Sequence, residues 1–275
     1  MCVRFEIALR RHCPTCCIPY ADTRLDCFLP RPSDTALFSP RHFGNANGTV
    51  TTGVGANWTV EPEDCDLFDN GLLTRQITDK PCDHSIMPDH TPYTNASVET
   101  IRRYQSYEEM SQPYDFSDFE LYHGGPHKWI GGYMANLTCT VLDPIFFSHH
   151  GMVDKLGDEV QARIAPENWT FPHSVAIAEG CSGGAKMLPF EWLINAQAFN
   201  DTTIGKNYSY EPSPFDVACS TDTDCSPTGL LWCDNSQCKA TSREDGICDE
   251  GVDAMCYCDS GTPQCDEGIC QCLTD

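Results

Sequence analysis

The chain has 275 residues, 40% of them hydrophobic and 21% charged, which supplies a core and argues against wholesale disorder. Against 17 basic side chains stand 40 acidic ones, and the formal net charge of -23 repels phosphate backbones, so nucleic acid is excluded as a partner class. No run of 18 or more apolar residues occurs, so no membrane span is expected.

In chain order, Cys2 to Arg11 reads as a piece of an amphipathic helix. Arg4, Glu6, Arg10 and Arg11 stand where a signal peptide would carry its apolar stretch, so the sequence is expected to lack its natural beginning. Pro19 to about Trp58 is a long ordered loop, rich in Pro, Gly, Asn and Thr but interspersed with aromatics. One helix is expected over Ser97 to Met110 and another over Phe116 to Trp129, the second stopped by Gly131 and Gly132. Asp143-Pro144 is a strong helix start, an Asp cap followed by Pro at the first helical position, and that helix should run to about Ile164. Strand-like alternation is scarce. The expected fold class is mainly α, a helical domain with long loops over 1–215 and a small disulfide-rich module over 216–275.

The cysteines draw that boundary. Nine of the 19 lie between Cys2 and Cys181, and ten between Cys219 and Cys272. The segment from Asp216 to Asp275 has 13 acidic and two basic residues and few large apolar ones, so disulfides are expected to hold it. Ten is even, so all can pair internally, with a connectivity that spacing does not reveal. Zinc and calcium are weaker readings, because neither paired CxxC knuckles nor an EF-hand loop occurs. Cys13 and Cys16 form a CxxC, but no βαβ pattern surrounds it to suggest a redox domain. Asn-x-Ser/Thr sequons at Asn47, Asn57, Asn95, Asn136, Asn168, Asn200 and Asn207, beside so many cysteines, point to a secreted glycoprotein.

Histidine placement carries the chemistry. His123 and His127, in LYHGGPHKWIGG, are four apart and project from one face of a helix. His149 and His150 lie one to two turns into the Asp143 helix, in DPIFFSHHGMVDKL. Two such helices, crossing, offer three imidazoles to one metal ion, a donor set that suits copper, zinc, iron or nickel. Pro126, between two candidate ligands, removes a helical hydrogen bond, so His123 is expected to end one turn and His127 to begin another. Phe146 and Phe147 are read as packing of the helix pair.

The combined string, HxxxH with a following Trp and Gly-Gly, then DPIFF-x-HH-xx-VD, resembles the second copper-binding region of the tyrosinase family. This is the type 3 copper group of tyrosinases, catechol oxidases and molluscan haemocyanins. IPYADTRLD is similar to the family's Pro-Tyr-Trp-Asp segment, with Ala21 in place of Trp. FSPRHFGNANGTVTTGVGANW resembles the stretch after that segment in invertebrate members, and MLPFEWLINAQAF and YSYEPSPF resemble the end of the domain. The resemblance runs from Val3 to Phe215 and leaves the cysteine-rich segment outside.

The resemblance implies that His123, His127 and His150 ligate one copper. It places His149 and Asp154 behind them, Asp154 orienting an imidazole as ligating histidines usually require. Glu108 falls near the position of a water-holding Glu, and Gly124 stands in the substrate pocket where monophenol-hydroxylating members have Asn, which favours catechol oxidation. Gly157 replaces a usual Trp. The histidines of the family's first copper site have no counterpart, since His12, His42, His84, His90 and His173 lack the spacing.

The implied activity is oxidation of phenols or o-diphenols to o-quinones with dioxygen at a copper pair. One site is visible, so this chain is expected to be inactive alone. The competing reading is a secreted matrix or cuticle protein that keeps the fold without turnover, its acidic segment binding matrix components. An oxygen carrier, which would repeat the domain, and a three-histidine zinc hydrolase, which would need a general base such as HExxH, fit less well.

Overall fold

The computed structural model describes residues 2–59, 71–80, 82, 90–111, 118–164, 182–188, 190–198 and 208–274. Its contacts divide the chain into two units. The first comprises Met1–Ser97, Tyr122–Met152 and Pro212–Asp275, and the second Val98–Leu121 and Val153–Glu211.

Helix α1 spans Cys2–Arg10. The single helix expected over Ser97 to Met110 is two, α2 at Asn95–Ile101 and α3 at Tyr107–Ser111. Each has its own start signal. Thr94 Oγ1 accepts from the Ser97 amide at 3.1 Å, and Ser106 Oγ accepts from the Glu109 amide at 3.1 Å while Glu109 reaches back to the Gln105 amide at 2.7 Å. Ser106-Tyr107-Glu108-Glu109 has the spacing of a capping box, with Glu109 closing on the Gln105 amide rather than on that of Ser106, and it restarts the chain as a helix.

Helix α4 runs over Asp118–Ile130 with Pro126 inside it. The expected break at Pro126 does not occur. A proline inside a helix forfeits one backbone hydrogen bond and crowds the carbonyl four residues back, here that of Tyr122, while the preceding Gly125 has no Cβ to add to the crowding. The helix stops where expected. Gly131 and Gly132 take φ values of 66° and 53°, and a Cβ on either would stand 2.2 Å from the carbonyl oxygen of Gln76 or Thr74. Helix α5 spans Ile145–Arg163, and Asp143 Oδ1 accepts from the Ile145 amide at 3.1 Å, as the cap requires.

The described residues also form four two-stranded antiparallel sheets, so the architecture is mixed helix and small sheets rather than helices and loops alone. They pair β1 (Asn47–Thr49) with β2 (Thr74–Gln76), β3 (Lys186–Met187) with β4 (Phe190–Ile194), β5 (Leu231–Asp234) with β6 (Gln237–Ala240), and β7 (Thr262–Asp266) with β8 (Ile269–Leu273). With two to five residues per strand, most are too short for alternation to register as a pattern.

In the first unit, Phe38, Ala46, Ile77, Trp129, Ile130, Met134, Ile145 and Phe146 form one buried cluster, which locks the end of α4 to the start of α5. Beside it Arg75, in β2, is fully buried. It grips Asp143 with two hydrogen bonds of 2.7 and 2.8 Å and donates to the Phe43 carbonyl at 2.8 Å. The second unit is tied by Arg102, which donates to Glu159 at 2.9 Å and Glu99 at 3.1 Å.

All ten cysteines of the acidic segment pair among themselves: Cys219–Cys233, Cys225–Cys238, Cys248–Cys265, Cys256–Cys270 and Cys258–Cys272. Upstream, Cys13 pairs with Cys16 and Cys27 with Cys82. The contacts group the segment with the histidine-bearing residues of the first unit. Buried Arg24 pairs with Asp22 and, at 2.9 Å, with Asp216, and Ser213 donates to Asp22. Buried Asp34 accepts from the Ile247 amide at 2.9 Å, and its carbonyl accepts from the Arg243 amide at 2.7 Å.

Candidate metal centre

Four histidines converge in the first unit: His123 and His127 from α4, His149 and His150 from α5. The i, i+4 spacing puts the first pair on one helix face. The Asp143 cap and the cluster around Phe146 set the position of the second pair. The Nε2 atoms of His123, His127 and His150 lie 3.2, 3.2 and 3.5 Å from one another. A circle through the three has a radius of about 1.9 Å, so an ion at the ~2.0–2.1 Å of an imidazole–metal bond sits within about 1 Å of their plane. Lone pairs this close repel unless a proton or a cation lies among them, so the arrangement fits a metal. All three rings are half-buried.

The orientation of His127 is fixed from behind. Its Nδ1 lies 2.8 Å from the Met134 carbonyl oxygen and 3.1 Å from Thr140 Oγ1. A carbonyl only accepts, which assigns the proton to Nδ1 and leaves the Nε2 lone pair facing the other two rings. The Phe146 ring covers His150 at 4.0 Å between centroids. Burial, and then the neighbouring His123 and His127, push the His150 imidazole down to about 3. The His150 ring is therefore neutral across mild acidity and free to act as a donor, as metal binding requires.

His149 differs from the other three. It is 2% exposed and lies parallel to the His123 ring at 5.4 Å. Burial first, then the adjacent histidines, hold it well below the usual imidazole range. Neither of its ring nitrogens makes a well-formed hydrogen bond, and only a weak backbone contact at His123 opposes the effect of burial.

The remaining sequence-derived candidates are not among the converging rings. Gly124 is on α4, and a Cβ added there meets nothing within 4 Å. Glu108 is exposed on α3 and belongs to the second unit. Asp154, one turn after His150 on α5, also belongs to that unit, and its carboxylate accepts from the Tyr210 hydroxyl at 2.5 Å. Gly157 lines, with Met110, Phe119 and Asp154, a cavity of about 220 Å³ in the second unit. His42 bonds to the Tyr257 hydroxyl at 3.1 Å, and His84 and His173 lie outside the described residues. Met134 and Thr140, which orient His127, and Arg75, which holds the cap of α5, were not marked by any sequence pattern. A backbone carbonyl leaves no trace in residue identity, and a lone Thr or Arg carries no spacing.

Residues 1–163 match a family model described as the common central domain of tyrosinase. The chain is 29% identical to the tyrosinase-like protein tyr-3 of Caenorhabditis elegans, over 94% of this chain and 38% of that protein. It is 26% identical to tyrosinase-like protein 1 of Margaritifera margaritifera, over 84% of this chain and 45% of that protein. It is 28% identical over 70% of its length to an A-type hemocyanin of Enteroctopus dofleini, of which it covers 14%. The chain thus spans less than half the length of each of these relatives.

Proposed function

The chain belongs to the tyrosinase family, and on that premise we propose that it holds a copper ion through His123, His127 and His150 and serves the oxidation of o-diphenols to o-quinones by dioxygen. The observation that carries this reading is the triangle of three Nε2 atoms, 3.2 to 3.5 Å on a side. Three imidazoles suit copper, and when bound the metal supplies the electron-transfer and dioxygen chemistry that no side chain here supplies.

The chain's own residues do the rest. His127 presents Nε2 because Met134 and Thr140 hold its Nδ1 proton. Phe146 shields one face of His150 from water and fixes its ring. His149 stays neutral and adds apolar bulk behind His123. Gly124 offers no side chain to steady a water that would take a phenol's proton, which favours catechols over monophenols. Asp154 is proposed to steady α5 through Tyr210. The seven disulfides between described residues support an oxidising, extracellular setting.

A second reading has its own support. Among the described residues one cluster of histidines is present, not two, which favours a secreted protein that binds one copper and does no turnover by itself. Copper per purified chain, read beside catechol oxidation, tests both. One copper per chain, lost in His150→Ala and in His123→Ala, is the expected result. Catechol turnover that chelation abolishes favours the oxidase, and copper without turnover favours the second reading. A folded chain that takes up no copper overturns both.

A further inference from the structure

Leu137 is 95% exposed, the most exposed large apolar side chain among the described residues, and it sits in the middle of the sequon Asn136-Leu137-Thr138. Single exposed leucines are ordinary, but almost complete exposure on a tight turn beside half-exposed Val141 on the same loop is not offset by any packing. The turn is well formed. Asn136 Oδ1 accepts from the Thr138 amide at 2.9 Å and from the Thr138 hydroxyl at 2.8 Å. The Asn136 main chain bonds on both sides, its amide to the Tyr133 carbonyl and its carbonyl from the Cys139 and Thr140 amides. Its Nδ2 makes no hydrogen bond among the described residues.

We infer that Asn136 carries an N-linked glycan whose first sugar lies over Leu137. Every bond that Asn136 contributes to the fold uses Oδ1 or the main chain, so Nδ2 is the one atom whose modification costs the turn nothing. Asn47 differs: it lies in β1, and its Oδ1 accepts from the Ile77 amide at 2.8 Å to hold the start of the next segment. The transfer joins Nδ2 to C1 of a sugar carried on a lipid diphosphate. The C1–O bond to the diphosphate breaks, its electron pair leaves with the diphosphate, and Nδ2 gives up one proton. The apolar face of the sugar then removes Leu137 from water, a gain that scales with the apolar area covered.

The assignment rests on the extracellular setting proposed above only for its biological occasion, and the test separates the two. The full chain is directed into the endoplasmic reticulum of a eukaryotic cell with an added leader, then digested and treated with peptide-N-glycosidase in heavy-oxygen water. The peptide with residue 136 is expected as heavy aspartate from the wild type and from Thr138→Ser, which keeps the sequon and the hydroxyl. Thr138→Ala is expected to yield unmodified asparagine. Unmodified Asn136 from the wild type overturns the assignment, whatever the state of Asn47, Asn57 and Asn95. Deglycosylated wild type is expected to bind more of an apolar dye than the glycosylated form, a difference that Leu137→Ser removes; equal binding overturns the shielding role. Whether the native protein is found outside cells tests the setting independently.

Discussion

His127 and Cys256 stand for two ways of ordering the same first unit. Around His127, side chains and carbonyls from separate parts of the chain converge: α4 supplies the ring, the loop after it the acceptors, and α5 the neighbouring imidazole. Around Cys256, order is covalent and local, since the five disulfides of that segment close loops of 13 to 17 residues. Metal-ligand geometry needs its donors placed within fractions of an ångström, so it is built on helices packed around a core. The acidic segment has few large apolar residues, and its fixed shape comes from crosslinks. The comparison teaches that damage should stay on its own side: loss of a buried charge partner should disturb the histidines, and loss of a crosslink should not.

Asp143→Ala should have the largest effect. It strips the fully buried Arg75 of its counter-charge and α5 of its cap, and breaking a buried pair from one side costs about 3–5 kcal/mol. Denaturant titration should register that loss, and copper affinity should fall with it because α5 carries His150. Replacing both members together, as in Arg75→Met with Asp143→Leu, should recover much of the stability but not the cap. If Asp143→Ala leaves stability within about 1 kcal/mol of wild type, the histidine side is not held by this pair.

Next comes Cys256→Ser with Cys270→Ser. Opening a crosslink that spans 14 residues should cost about 3 kcal/mol by loop entropy. Copper uptake at the histidines should be unchanged in the fraction that remains folded. A parallel loss of copper would break the comparison and give the segment a part in holding the centre, through Arg24 and Asp34.

The same contrast governs how far each side was legible in the sequence. The i, i+4 histidines and the Asp143-Pro144 start were legible because helical periodicity and capping are local rules. So was the pairing of the ten cysteines as a class, from their number and compartment. Three things were not. The pairing itself depends on the hairpins, whose strands are four and five residues long. The two polar anchors, Arg24 with Asp216 and Asp34 with Arg243, join residues 192 and 209 positions apart, beyond any local pattern. The helix through Pro126 and the restart at Ser106 are both local, and both run against the stronger-looking signal. In the first the packing of Trp129 and Ile130 in the core carries the helix through the proline, and in the second a helix-start signal inside a helical stretch outweighs its periodicity.

Asp26 lies in the segment that anchors the cysteine-rich residues. It is completely buried, and burial pushes its carboxyl up to about 7, the bond to Thr35 opposing and nearby Asp22 adding. One of its oxygens has no partner. The folded state therefore holds this proton more tightly than the unfolded chain does. Its contribution to stability is full below the ordinary carboxyl range near 4, fades as pH rises, and is lost above 7. Asp26→Asn should thus stabilise the chain at pH 8, by about 2 kcal/mol, half of what a shift of about three units implies at ~1.4 kcal/mol each. At pH 4 it should change little. A stability gain independent of pH would mean that Asp26 is not protonated in the folded chain.

The smallest effects give the finest discrimination, because two glycines with equal room should respond in opposite directions. An added Cβ meets nothing within 4 Å at Gly124, on α4, nor at Gly251, in a turn of the acidic segment. Packing therefore decides neither. Gly124 has helical backbone, where Ala loses less conformational entropy on folding, so Gly124→Ala should stabilise the metal-free chain by about 0.5–1 kcal/mol. Gly251 has φ of 76°, which an L side chain adopts at a cost of about 1–2 kcal/mol, so Gly251→Ala should destabilise. Thermal unfolding of both variants at one pH checks the signs. Stabilisation by both would mean that the turn at Gly251 relaxes out of its left-handed conformation, and that the crosslinks, rather than the backbone conformation, set the shape of the acidic segment.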